Sequence, residues 1–114
     1  RVLALEIIEG KGLPAADTGG TSDPYCLVEV YRGVDSLPLG SGEPLFHTDT
    51  VLKTLNPLWN GKADMRLPDD AWELAISVWD FDKYGDHDFL GWVRVLLGSM
   101  PLEQDQEAWL ALDP

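Results

Sequence analysis

The chain is poor in basic residues, in histidine and in cysteine, and each scarcity closes off a class of function. Eight Lys and Arg stand against 20 Asp and Glu, for a formal net charge of −12. Binding to nucleic acid needs clustered Lys and Arg to neutralise phosphates. An anionic membrane likewise repels a bare surface of this sign. A phosphate-bearing target therefore demands a local change of sign. The single cysteine, Cys26, admits no internal disulfide, which fits a reducing intracellular compartment. With two histidines, His47 and His87, and no motif for a Ser or Cys nucleophile, the chain does not read as an enzyme. Paired carboxylates acting on a glycoside would also need a substrate cleft. No apolar run approaches the roughly 18 residues that cross a bilayer. No signal peptide precedes the first strand-like segment, so the expectation is one domain, residues 1–114, excised from a larger protein.

What is present is apolar content of 45 %, enough for a packed core, arranged without a long helical period. Short period-two runs recur between Gly, Pro and Asp clusters. These are "RVLALEII", "PYCLVEVYR", "LFHTDTVLK", "GKADMRL", "AWELAISVWD", "FLGWVRVLL" and "EAWLAL". In "AWELAISVWD" the residues Trp72, Leu74, Ile76 and Val78 face one way, and Glu73, Ala75, Ser77 and Trp79 the other. Strands of this number and length predict an all-β, antiparallel sandwich. "GVDSLPLGSGEPL" (33–45) reads as a long hairpin loop, and "GSMPLEQDQ" as room for one helical turn. Pro57 in "TLNPLWN" presets a turn and Trp59 is expected in the core. Trp72, Trp79, Trp92 and Trp109 are expected at core or strand positions, and Cys26 as a packing residue.

The acidic residues are not spread evenly. "AADTGGTSD" and "DFDKYGDHD" hold Asp17, Asp23, Asp80, Asp82 and Asp88, with Asp86 beside them. Two carboxylates about 4 Å apart repel by about 4 kcal/mol at an effective dielectric of about 20. Asp80 and Asp82 lie two residues apart at a strand end, so their side chains share a side. Gly85 lets the loop fold Asp88 back, and "TGGTS" lets Asp17 and Asp23 approach each other. Oxygen donors on loops suit calcium, which takes 6–8 oxygens with tolerant geometry. Zinc selects His or Cys, and magnesium prefers tight octahedral sites that keep water. The competing reading is a solvated acidic rim, weakened by five carboxylates at paired spacing on two loops. An EF-hand fails twice: position 12 is Gly91 rather than Glu, and a strand precedes the loop.

"GKGLPAADTGGTSDPYCLVEV", "KTLNPLWN" and "VWDFDKYGDHDFLGWVRV", in this order, resemble the C2 domain, the calcium- and phospholipid-binding module of protein kinase C and synaptotagmins. The likeness runs from Arg1 to about Leu112. It implies an antiparallel Greek-key β-sandwich of about eight strands, with three calcium loops at one end. It matches Asp17 and Asp23 to the family's first-loop ligands, and Asp80, Asp82 and Asp88 to its third-loop ligands. The main-chain oxygens of Ala16 and Phe81 match further ligand positions. Gly85 stands where some relatives supply a hydroxyl, so two Ca2+ ions are implied rather than three. Lys83, Tyr84 and Thr18 fall at loop tips and are implied lipid contacts. The strand that is Lys-rich in many relatives offers only His47 and Lys53, which favours calcium-bridged acidic lipid over phosphoinositide. The implied function is calcium-dependent binding to anionic phospholipid membranes, targeting a cytoplasmic signalling protein to membranes when calcium rises. No nucleic-acid partner is implied, and the resemblance leaves room for an enzymatic parent. The alternative is a calcium-independent protein-interaction or scaffold domain of the same fold.

Overall fold

The computed structural model describes residues 2–32, 40–99 and 107–114, the side chain of Ser99 excepted. Six strands run in chain order: β1 (Val2–Glu9), β2 (Pro24–Arg32), β3 (Glu43–His47), β4 (Leu58–Arg66), β5 (Ala71–Asp80) and β6 (Asp88–Leu96). A single 3-10 turn, Leu97–Ser99, follows β6. All pairings are antiparallel: β1 with β4 in one sheet, and β3-β2-β5-β6 in the other.

Alternation explains how the sheets face each other. Leu3, Leu5 and Ile7 turn inward from β1 while Val2, Ala4 and Glu6 stay exposed. They meet Val28 and Val30 of β2, Leu74 of β5, Met65 of β4, Leu67 and Leu97 in one buried cluster. A second cluster, Leu13, Cys26, Val78 and Leu90, lies nearer the acidic loops, with Trp59 and Leu112 packed against it. Burying a side chain of this size contributes about 1.5–3 kcal/mol. Cys26 is therefore a packing residue, and its burial pushes the thiol up to about 12.

β5 follows the predicted alternation, yet its second face is not solvated. Ala75 and Ser77 are fully buried there, and Glu73 nearly so. Trp79 Nε1 donates to Ser77 Oγ, which donates in turn to the Leu27 carbonyl. Arg94 closes the other end by pairing with Glu73 while stacking over the Trp92 ring. Glu29, on the same face of β2, is held by the backbone N–H groups of Gly40 and Gly42, and burial raises its pKa.

The strand count corrects the expectation of about eight: six are formed among the described residues. "EAWLAL" is not a strand, because only Leu112 of this segment finds a core face. The segment is anchored instead by Asp113, which exchanges two backbone hydrogen bonds with Trp92 at 2.8 and 2.9 Å. Gly91 permits that approach, since a Cβ there would lie 3.0 Å from Leu112 and 3.1 Å from the Asp113 carbonyl. Trp109 is 63 % exposed rather than a core or strand residue, with the Lys11 ammonium 4.8 Å above its ring. "LFHTDTVLK" is a strand only as far as His47, although Thr48 N still donates to the Cys26 carbonyl. Beyond it the buried Thr48 hydroxyl takes the Cys26 amide that a strand carbonyl would otherwise accept. Of the loop read over 33–45, residues 33–39 lie outside the described residues, as do residues 100–106 of the helical-turn segment.

Candidate metal centre

Three loops meet at one end of the sandwich: the first (10–23), the second (48–57) and the third (81–87). Strand register dictates the meeting. Pro24, which opens β2, is directly opposite Asp80, which closes β5, and Asp80 is opposite Asp88, which opens β6. Residues paired directly across antiparallel strands project to the same face. Asp80 and Asp88 therefore form a cross-strand acidic pair at the sheet's rim, an arrangement that destabilises when both are charged.

The first loop is shaped by its own backbone. Asp17 N donates to the Thr21 carbonyl, and Gly20 N donates to the Asp17 carbonyl. Gly20 has φ of +80°, which glycine adopts without strain. Ser22, fully buried, clips the loop across its base: its Oγ donates to the Pro14 carbonyl at 2.8 Å and accepts from Ala16 N at 3.0 Å. The carbonyl of Ala16, one of the two expected main-chain ligands, belongs to the peptide that Asp17 N holds at the Thr21 carbonyl. The other, Phe81, opens the third loop with its N–H donated to the Asp23 carbonyl at 2.9 Å.

The carboxylates are aimed by backbone amides. Asp80, 2 % exposed, accepts from Asp23 N through Oδ1 at 2.7 Å. Asp23 accepts from Lys53 N through Oδ1 at 2.7 Å. Asp82 accepts from Tyr84 N through Oδ1 at 2.9 Å. Each bond holds one oxygen and leaves the second for a ligand. Asp17, Asp23 and Asp80 present one carboxylate oxygen apiece within 4.8 Å of one another. Asp82 and Asp88 stand outside that close set, Asp82 near enough to act on Asp17 and Asp88 opposite Asp80. Asp86 is exposed on the third loop.

Crowding leaves an electrostatic signature. Lost hydration raises the Asp17 pKa first, followed by the charge of Asp80, a hydrogen bond between the two carboxyls, and the charges of Asp23 and Asp82. The donor set fits a hard cation: the close group is all carboxylate oxygen, with no sulfur or imidazole. His87, though in the third loop, turns aside to Tyr25, with its Nδ1 2.6 Å from the Tyr25 hydroxyl, and packs against the Phe81 ring at 4.8 Å.

The loop tips are exposed. Tyr84 is 88 % exposed, with the Lys83 ammonium 5.4 Å from its ring centroid, and Thr18 is exposed in the first-loop turn. The second loop has a larger part than its sequence announces. Val51 N donates to the Pro24 carbonyl, Lys53 N to Asp23, and Thr54 N to the Ser22 carbonyl. Pro57 and Trp59 seat its far end: the Pro57 carbonyl accepts from Gly10 N, and Trp59 Nε1 donates to the Pro24 carbonyl. The motif that reads as structural thus also buttresses the acidic cluster.

Residues 1–112 match the family profile described as "C2 domain". The chain is 40 % identical over 102 residues to Ras GTPase-activating protein 4 of Mus musculus, covering 87 % of this chain and 12 % of that protein. It is 36 % identical over 114 residues to Synaptotagmin-B of Diplobatis ommata, covering 97 % of this chain and 24 % of that protein. The chain thus spans less than a quarter of these relatives' length. Among solved structures, a C2 domain of RIM from Drosophila superposes with a TM-score of 0.76 at 25 % identity, covering 98 % of this chain and 86 % of that one.

Proposed function

The chain belongs to the C2 domain family, and from that membership we propose that it docks onto anionic phospholipid membranes in response to calcium, carrying a longer parent protein with it. The convergence of Asp17, Asp23 and Asp80 within 4.8 Å carries the reading. These three, with Asp82, Asp88 and the main-chain oxygens of Ala16 and Phe81, would hold two calcium ions. When bound, calcium supplies local positive charge and unfilled coordination positions that attract phosphate or carboxylate oxygens of a headgroup.

The chain's own residues prepare that encounter. The backbone amides of Asp23, Lys53 and Tyr84 preset three carboxylates, so little ordering remains when a cation arrives. Lys83 offers its ammonium to a headgroup from the third loop. Tyr84 presents a ring with a polar end, suited to the interfacial layer. Thr18 approaches from the first loop. The domain as a whole stays acidic, so attraction is confined to the loop end and follows calcium. Cation and lipid then strengthen each other's binding by the same factor. The parent protein rests in the cytoplasm and is peripheral on membranes when calcium rises. This is the work of a binding module, and no chemical step is assigned to it.

Sedimentation with vesicles tests the reading, using neutral or phosphatidylserine-containing vesicles, with calcium or with chelator. The protein is expected in the pellet only with both calcium and phosphatidylserine. Equal partition in all four conditions would refute it and favour the scaffold alternative.

A further inference from the structure

The ladder between β1 and β4 loses its regularity at one place. Ile7 is opposite Gly61 and Glu9 is opposite Leu58, so two steps on β1 answer three on β4. The surplus residue makes a β-bulge at Trp59 and Asn60, where pairing is interrupted. Lys53 and Asn60 are the two described residues other than glycine with positive φ, at +52° and +46°. Asparagine tolerates that left-handed conformation better than most side chains. Asn60 is exposed, while Trp59 before it and Gly61 after it are half-buried.

The residue that follows Asn60 is glycine for want of room. A Cβ at 61 would lie 3.1 Å from Thr48 Cγ2 and 3.4 Å from the Phe46 ring. The Asn60 carboxamide is thus followed by a peptide nitrogen with no side chain beyond it to hinder approach. The chain's other asparagine, Asn56, is the opposite case. Pro57 follows it, and a proline nitrogen in a peptide bond carries no hydrogen. Asn56 Oδ1 also accepts from Gly12 N at 3.0 Å.

We infer that Asn60 is a site of spontaneous deamidation and isomerisation in the folded domain, through attack by the backbone of its neighbour. The Gly61 nitrogen adds to Asn60 Cγ and gives up its proton to the departing amino group. The Cγ–Nδ2 bond breaks, ammonia leaves, and a cyclic imide remains. Water then adds to one of the two imide carbonyls. Opening at one yields aspartate at 60. Opening at the other yields isoaspartate, with the main chain running through Cγ. Nothing is oxidised or reduced, and water is the sole co-reactant. Either product places a new carboxylate beside Lys62 of β4 and Glu6 and Glu9 of β1, Glu6 being opposite Lys62 and Glu9 opposite Leu58. Isoaspartate also lengthens the main chain by a methylene directly after Trp59, whose Nε1 donates to the Pro24 carbonyl at 3.0 Å. The reaction requires neither calcium nor a membrane.

The test stores the purified chain at neutral pH and physiological temperature, folded or in urea, and maps its tryptic peptides by mass over several weeks. A fresh sample digested alongside subtracts conversion during the digest. The peptide from Thr54 to Lys62 carries both asparagines. In the folded sample it should gain a dalton at position 60, stay unchanged at position 56, and separate into two chromatographic forms. One form should accept a labelled methyl group through an isoaspartyl methyltransferase, which leaves aspartate unmodified. Direct hydrolysis of the side chain gives aspartate alone, so a gain in mass without the isoaspartyl form overturns the imide route. Asn60→Gly keeps a residue suited to the positive φ and should abolish both forms. Conversion in urea with none in the folded chain would show that the β1–β4 ladder protects Asn60, and the inference falls. Conversion in neither sample overturns it as well.

Discussion

Replacing Asp80 with Asn should make the calcium-free domain more stable and the calcium-loaded domain less so. Asp80 is buried, and its oxygen lies within 4.8 Å of one on Asp23. At an effective dielectric of about 20, two charges at that distance repel by about 3.5 kcal/mol. Asp23 is only half-buried, so solvent reduces the recoverable part to about 1–2 kcal/mol. Asn keeps a carbonyl oxygen for the Asp23 amide, so the bond across the loops survives and the charge alone is removed. For a domain of this size the melting temperature should rise by about 4–8 °C in chelator. With calcium the order reverses. A site filled at about a hundred times its dissociation constant stabilises the parent chain by about 2.7 kcal/mol, and the variant forfeits most of that. Scanning calorimetry of both proteins, with chelator and with saturating calcium, reads the two signs in one experiment. A variant less stable than the parent in chelator would show that the carboxylates are not in conflict. An undiminished calcium shift in the variant would remove Asp80 from the ligand set.

Acidity should act in the same direction as that substitution. The folded-state pKa values of Asp17 and Glu29 are both raised, chiefly by burial. Raised carboxyls contribute stability that is fully present below their unfolded value. It is lost as pH rises through the folded value. Urea midpoints in chelator should therefore fall from the ordinary carboxyl range upward, and Asp17→Asn should flatten the slope. An unchanged slope in that variant would assign the effect elsewhere. Ser22→Ala should cost about 1–3 kcal/mol, since it leaves the Ala16 amide and the Pro14 carbonyl without their shared partner. It should also weaken calcium binding measured by calorimetry, and retention of both properties would show that the first loop holds itself.

Much of the candidate site is legible in the chain because its acidic groups lie in side chains. Asp17 and Asp23 bracket a glycine-rich arc, and Asp80 closes an alternating run whose bounds, 71–80, are those of β5, with Asp82 two residues beyond. Less legible is what reaches the site through the backbone. Lys53 contributes an amide, which every non-proline residue has, so neither its identity nor its charge betrays the role. Its positive φ is equally silent in sequence. Ser22 reads as one more polar loop residue until burial and two bonds single it out. The buried second face of β5 was hidden for a related reason. Ser77 and Glu73 look like solvent-facing positions, and only the neighbours Trp79 and Arg94, brought over them by the sheet, take that face out of water. "EAWLAL" misleads in the opposite way: its alternation is genuine, but a single residue of it meets a core.

Asp23 joins all three loops through separate atoms: its N–H to Asp80, its carbonyl to the Phe81 amide, and its carboxylate to Lys53. A tripod whose legs share one bolt keeps its plane when the feet are changed. Thr18, Leu52 and Tyr84 all lie outboard of that joint, exposed and spared from holding it together. Their chemistry is therefore open to replacement one foot at a time, with the seat for the cation left as it was. Substitutions at these three positions should therefore leave the bonds from Asp23 to the other two loops in place.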